Sequence, residues 1–278
     1  MRRQFIDTVT NLFEQDDKTV LVLGDIGVHG FSTLAERYPD RVINIGICEQ
    51  ATIGICAGMA KEGLHPIFYT IAPFAVERCF EQIKIDIGYQ NLPISIVSVG
   101  GSYDYSALGC THHCPADVAL MKTIPGMNVF TPAYRVTVDT ILNLCHGNEA
   151  LYMRLPDEEC REVGTGYVTY GNNLVLAFGD TIDNVAVACK GLGVDVFQCG
   201  YVNVHVSIVV RKKVVIVEPW YRGTMQYDVQ LMHPDAKILS IGVPRKFITS
   251  YGSKEDHDKE CGLDVDGLRE TITSFLNG

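Results

Sequence analysis

Ile45-Gly46-Ile47-Cys48-Glu49-Gln50-Ala51-Thr52-Ile53-Gly54-Ile55-Cys56-Ala57-Gly58-Met59-Ala60 is apolar or small almost throughout, yet it carries Glu49. A carboxylate in such surroundings must find a partner or stay protonated, because burial penalises its charge. A carboxyl group held protonated can donate a hydrogen bond or shuttle a proton. At the start of a helix it can equally serve only to complement the helix dipole. Residues 48–62 read as a helix rich in small side chains. Gly54 and Gly58, one turn apart, open a face on which another backbone can come close.

Outward from this helix the pattern alternates. Residues 3–15 place Phe5, Ile6, Val9, Leu12 and Phe13 on one side of an amphipathic helix. Thr19-Val20-Leu21-Val22-Leu23 is a continuous apolar run ending in Gly24-Asp25, the look of a buried parallel strand feeding a loop. Residues 42–45, 65–70, 93–99 and 127–130 read as further strands. Residues 31–38, 76–87, 116–123 and 136–145 read as helices. This predicts an α/β, doubly wound, mostly parallel sheet with helices on both faces. A charged stretch, Asp157-Glu158-Glu159, followed by Gly164 and Gly166, reads as a linker. A second, smaller unit of the same class follows, with strands at 174–178, 194–197 and 214–217. Its closing helix opens near Leu263 with Asp264 or Asp266 as cap. The expected domains are 1–158 and 159–278.

Composition narrows the function classes. A net charge of -10 argues against nucleic acid or an anionic membrane as partner. No apolar run approaches the ~20 residues of a membrane span, and Met1-Arg2-Arg3-Gln4-Phe5 shows no apolar signal region. Ten cysteines, several inside apolar runs, suit reduced thiols in a cytoplasmic protein. Cys110, His112, His113 and Cys114 lie close together, but the spacing is too tight for the usual zinc patterns, and no metal ligand is expected on this chain.

Several segments occur in an order that resembles the C-terminal half of transketolase and 1-deoxyxylulose-5-phosphate synthase. They are Gly-Ile-Cys-Glu-Gln-Ala (46–51), Pro-Phe (73–74) before Glu-Gln-Ile-Lys-Ile-Asp (81–86), and Gly-Cys-Thr-His-His (109–113). Ile-Pro-Gly-Met-Asn-Val-Phe-Thr-Pro-Ala (124–133) and Tyr-Met-Arg-Leu-Pro (152–156) complete the series. The match is good over about residues 5–157, as a pyrimidine-binding domain, and looser from about 170 onward. The resemblance implies thiamine diphosphate with Mg²⁺. Glu49 would hydrogen-bond N1′ of the aminopyrimidine, making the 4′-amino group acidic enough to act on the thiazolium C2–H. Phe74 would stack on the pyrimidine, with Ile71, Phe68 and Tyr69 as further candidates for that wall; a core Phe is the plainer reading of Phe74. His112 would face the reacting carbon and donate to a developing alkoxide, with His113 and His29 as further substrate contacts. Arg154 would bind substrate phosphate, or else pair with Asp157 or Glu158. Arg78 would pair with Glu77 or Glu81.

Departures from the family pattern matter. The Glu-Asp-Gly that precedes the Thr-His pair in transketolase is Ala107-Leu108-Gly109 here, and a histidine twelve residues before His112 is Gly100. Two polyol contacts are therefore missing, which changes discrimination among sugars. Asp104, Tyr103 and Tyr105 are expected to refill the space. No Gly-Asp-Gly occurs anywhere in the chain, so the resemblance implies that Mg²⁺ and diphosphate ligands sit on an N-terminal, diphosphate-binding partner subunit, in an α2β2 heterotetramer. Ala51, Gly54, Ala57 and Gly58 would form the packing face. The implied activity is two-carbon ketol or acyl transfer between sugar-like or specialised small molecules. The alternatives are a 2-oxo acid dehydrogenase β subunit and a non-catalytic scaffold subunit.

Overall fold

The computed structural model describes residues 1–157, 159–161, 172–203 and 211–278. Helix α1 is Arg2–Gln15, strand β1 Thr19–Leu23, α2 Ser32–Arg37, β2 Val42–Asn44, α3 Glu49–Lys61 and β3 His65–Ile71. Two short helices, α4 (Ala72–Ala75) and α5 (Phe80–Gln82), lead into a π-helix at Ile83–Gly88, then β4 (Ser95–Val99). Next come α6 (Asp117–Met121), β5 (Asn128–Phe130), α7 (Arg135–Cys145) and β6 (Leu151–Leu155). The second unit holds β7 (Asn173–Phe178), α8 (Ile182–Ala188), β8 (Asp195–Cys199) and β9 (Lys213–Tyr221). It ends with α9 (Gln226–Met232), β10 (Lys237–Val243), α10 (Lys254–Cys261) and α11 (Val265–Asn277).

The strands form two sheets, ordered β2-β1-β3-β4-β6-β5 and β10-β9-β7-β8, and every ladder between them is parallel. Alternation along the strands explains the layering. Leu21, Leu23, Ile67 and Val97 turn to the face covered by α1 and α7, through Phe5, Val9, Val138 and Leu142. Val20, Val22, Phe68 and Ile96 turn to the opposite face, against Ile53, Cys56 and Ala57 of α3. That second core runs on without a break into Leu174, Leu176, Ile216 and Trp220, so the two sheets share apolar packing. The far face of the smaller sheet packs Val175 and Val217 against α8 and α11.

The helix expected over 76–87 is broken. Pro73 starts a single turn, Val76 closes it, and the chain re-enters helix only at Phe80 before widening into the π-turn. The Cys79 thiol donates to Ala75 O at 3.0 Å across the interruption. The smaller unit gains β10 and the helices α8, α9 and α10, which were not among the expected elements. The cap of α10 is a reciprocal box between Ser253 and Asp256. Gly164 and Gly166 of the expected linker lie outside the described residues.

Candidate active site

Because the strands are parallel, the loops after β1, β2, β3 and β4 gather at one end of the larger sheet, and the strand order reverses at the β1–β3 boundary. That end is where open α/β sheets bind ligands. Glu49 arrives there as the first residue of α3. It is 1% exposed. Its Oε2 accepts a hydrogen bond from Arg78 Nη1 at 2.7 Å, while Oε1 is buried and has no partner among the described residues. The partner of Arg78 is thus Glu49 and neither Glu77 nor Glu81. The interrupted helix is the reason: the turn after α4 swings Arg78 toward the start of α3.

The Arg78 guanidinium also lies over the Phe74 ring, 4.1 Å from its centroid. Phe74 is half-buried and meets the His112 ring edge-on at 5.4 Å. His112 has Nδ1 engaged by Thr111 Oγ1 at 2.9 Å, and its ring stands perpendicular to Tyr105 at 6.4 Å. The Tyr105 hydroxyl accepts from Arg2 Nη2 at 2.6 Å, and the same Arg2 nitrogen donates to Asp157 at 2.8 Å. Glu49, Arg78, Phe74, His112 and Tyr105 therefore form one continuous set of contacts.

The loop that carries His112 is pinned at its base. Ser102 and Cys114 pair as an antiparallel bridge, through Ser102 N to Cys114 O at 3.0 Å and Cys114 N to Ser102 O at 2.7 Å. Gly100 and Gly101 are needed for room. A Cβ on Gly100, whose φ is +75°, would run into the Tyr105 ring, and one on Gly101 into the Arg154 guanidinium. Tyr105 thus fills the volume that a side chain at position 100 would take. Ala107 and Leu108 are exposed, so this wall is apolar.

Other expected site residues go elsewhere. Phe68 is fully buried in the core and offers no face to a ligand; Ile71 is 7% exposed at the end of β3. Tyr69 is buried against Phe5 and Phe31 on the α1 face. His29 is exposed in the loop after β1. His113 turns away from His112 toward the His257 ring at 5.5 Å, and burial, then His257, lowers its pKa. Tyr103 is buried and donates to Asp258 at 2.7 Å, so it ties the loop to α10 and does not refill the sugar space.

Arg154 does not pair with Asp157, which Arg2 takes, and Glu158, its other expected partner, lies outside the described residues. It is 5% exposed on β6. Its Nε meets Asp117 at 3.3 Å and Nη2 donates to Pro219 O at 3.4 Å, leaving Nη1 buried without a partner among the described residues. Burial works against its charge, but Asp117, Asp104 and Asp180 outweigh it and raise its pKa. Asp117 also accepts from the Tyr152 hydroxyl at 2.7 Å. Burial and Asp180 push the Asp104 carboxyl up to about 7, against the pull of Arg154 and Lys254. Sequence reasoning missed Asp117 and the pairing of Arg78 with Glu49. The one available signal for the latter was Arg78 standing four residues after Phe74.

Residues 1–161 match the transketolase pyrimidine-binding domain. An uncharacterized 33.6 kDa protein in the fasciation locus of Rhodococcoides fascians is 35% identical, over 98% of this chain and 93% of that protein. A subunit of the apulose-4-phosphate transketolase of Phocaeicola vulgatus is 28% identical, over 99% of this chain and 97% of its own length. A solved structure described as a split-gene transketolase in an inactive β4 tetramer superposes with a TM-score of 0.81 at 22% identity, covering 98% of this chain and 96% of that one. No described helix is long and apolar enough to cross a membrane. With Glu49, Phe74 and His112 gathered at the strand ends, and with this match over residues 1–161, the chain belongs to the transketolase pyrimidine-binding domain family.

Proposed function

We propose that this chain is one subunit of a two-component, thiamine diphosphate-dependent transferase that moves a two-carbon ketol or acyl unit between sugar-like or specialised substrates. The observation that carries this reading is Glu49 Oε1, buried and unpartnered among the described residues, on a carboxylate whose partner Arg78 lies over the half-buried Phe74 ring, itself edge-on to His112. A buried carboxylate oxygen without a donor calls for one. The residues present fit an aminopyrimidine: Glu49 Oε1 for a ring nitrogen, the Phe74 face for the ring.

When bound, thiamine diphosphate supplies the acidic carbon and the electron sink that carbon–carbon bond chemistry needs. Glu49 holds or releases the proton at the pyrimidine N1′, in a setting dry enough for a single hydrogen bond to count. Phe74 keeps the ring plane against an apolar wall and excludes water from it. His112, with Nδ1 held by Thr111, leaves Nε2 to donate to oxygens of the substrate. Asp104 instead lines a pocket with Asp157, Asp180 and Lys254, where burial and Asp180 push its carboxyl up to about 7.

The Mg²⁺ and diphosphate ligands belong to a partner subunit, because this chain lacks the Gly-Asp-Gly element. Ala51, Gly54 and Gly58 of α3 are exposed, a Cβ on Gly58 would meet nothing within 4 Å, and Ile47 and Ile55 beside them are 68% and 42% exposed. We take this face as the partner's seat in an α2β2 heterotetramer. Ala57, expected on it, is instead 5% exposed in the core. That the P. vulgatus relative is itself named as a subunit agrees with two components. Residues 1–158 would then be the pyrimidine-binding domain and 159–278 the C-terminal domain. Ten free cysteines suit a reducing cytoplasm.

Calorimetry with thiamine diphosphate and Mg²⁺ tests the reading. We expect tight binding only when the chain is mixed with its diphosphate-binding partner; tight binding by this chain alone would overturn the split site. Product analysis, starting from the apulose-4-phosphate of that relative's name, separates ketol transfer from acyl transfer to a lipoyl group.

A further inference from the structure

We propose that Asp16, His65 and His146 form a binding site for a divalent transition-metal ion of the zinc type. The site lies at the end of the larger sheet opposite the candidate active site. Thr19 and His65 are register partners where β1 and β3 begin, whereas Glu49, Phe74 and His112 follow strand ends. The proposal is therefore independent of the thiamine reading.

Asp16 caps the C-terminus of α1, and its Oδ1 accepts from the Lys18 N–H at 3.0 Å, which fixes the carboxylate plane. The other oxygen, Oδ2, is 2.6 Å from His65 Nδ1 and 3.1 Å from His146 Nε2. The three ligand atoms lie within 4.8 Å of one another. Around tetrahedral zinc, ligand atoms at 2.0–2.1 Å from the metal stand ~3.3 Å apart, so the set closes on an ion after shifts of about an ångström. Two imidazoles and one carboxylate, with a fourth position for water, are a borderline-soft donor set suited to Zn²⁺ and Co²⁺ rather than to Mg²⁺. Thr19 Oγ1 lies 2.8 Å from His146 Nε2 and 3.2 Å from Asp16 Oδ2, and supplies a polar neighbour for that water.

Access and preorganisation are both present. The side chains of Asp16 and His65 are 24% and 25% exposed, an entry path, while that of His146 is 6% exposed and fixed. The two rings stand edge to face at 5.3 Å. Gly147, at φ +67°, makes room for the His65 ring, which a Cβ there would meet at 2.7 Å. By contrast, the cysteines and histidines of residues 110–114 diverge: Cys110 is exposed, Cys114 is buried, and the two histidines face Phe74 and His257.

Co²⁺ titration of the full chain, followed by optical absorption, tests the site. We expect one equivalent to bind with visible d–d bands and no thiolate-to-cobalt charge-transfer band, despite the ten cysteines. Zn²⁺ should displace it. His65→Ala, at a partly exposed position, should keep the circular dichroism spectrum and weaken binding at least 10-fold. No binding, or binding with a thiolate band or undiminished in His65→Ala, would overturn the proposal. Should the buried His146→Ala variant fail to fold, His65→Ala and Asp16→Asn decide the matter.

Discussion

Arg78 Nη1 donates to Glu49 Oε2 at 2.7 Å and leaves Glu49 Oε1 buried without a partner among the described residues. The carboxylate is thus half-satisfied among the described residues, and the proposed function gives its unmet half a partner. Glu49→Gln should retain the fold and the association with a partner subunit. Turnover of the assembled enzyme should fall about 10²–10⁴-fold, the range of a lost proton-transfer group. Steady-state kinetics alongside sedimentation of the complex check this; full activity in the variant defeats the assignment.

Removing the other partner has a different consequence. Arg78→Ala strands a carboxylate that is 1% exposed, whereas Arg78 itself is 38% exposed and its loss costs little on its own account. The expected destabilisation is about 1–3 kcal/mol, seen as a Tm lowered by several degrees. Adding Glu49→Gln to Arg78→Ala should recover part of it, because the pair is coupled. Strict additivity in that double-mutant cycle would show that the contact does not form.

Gly100 and Tyr105 compete for one volume. Gly100→Ala meets both the Tyr105 ring and a φ of +75°, so a loss of about 1–3 kcal/mol is expected. Tyr105→Ala in the same chain should relieve the clash but leave the backbone strain. Denaturant unfolding of the single and double variants separates the two contributions.

Asp104 predicts a pH dependence of definite sign. Its folded-state pKa, about 7, lies above the ordinary carboxylate value, so the folded protein binds the extra proton between about pH 4 and 7. Stability should therefore decline as pH rises through that window. Asp104→Asn should flatten the slope and raise Tm at pH 7.5. Thermal melts from pH 4.5 to 8 check it; an unchanged slope in the variant would assign the titration to another group.

Gly58→Leu tests the open face of α3. A Cβ there meets nothing within 4 Å among the described residues, and replacing a mid-helix glycine should even stabilise the isolated chain by about 0.5–1 kcal/mol. Association with the diphosphate-binding partner should weaken at least 10-fold. Ultracentrifugation of the mixture shows whether the face is used.

Much of the fold was legible because parallel strands buried on both faces are written as continuous apolar runs, as in Thr19–Leu23 and Ser95–Val99. The elements that escaped were those with weaker patterns. Lys237–Val243 sits at a sheet edge with several half-exposed positions, and α10 is almost wholly polar. Within the site, Glu49, Phe74 and His112 were read from motifs that keep their order along the chain, and the structure brings those three together.

Sequence by itself determined the α/β class, the ordered motifs and the awkward carboxylate, since each is a local pattern of residue types. Tertiary structure alone decided the partners. Glu49 and Arg78 are 29 residues apart, Asp16 and His65 49, and Asp16 and His146 130. No local periodicity encodes such meetings. They follow from how parallel crossovers return each strand to the same edge, so that loops distant in the chain share one end of a sheet. The break at Val76 that turns Arg78 onto Glu49 is likewise a product of packing, which overrode a helical pattern the residues themselves carry.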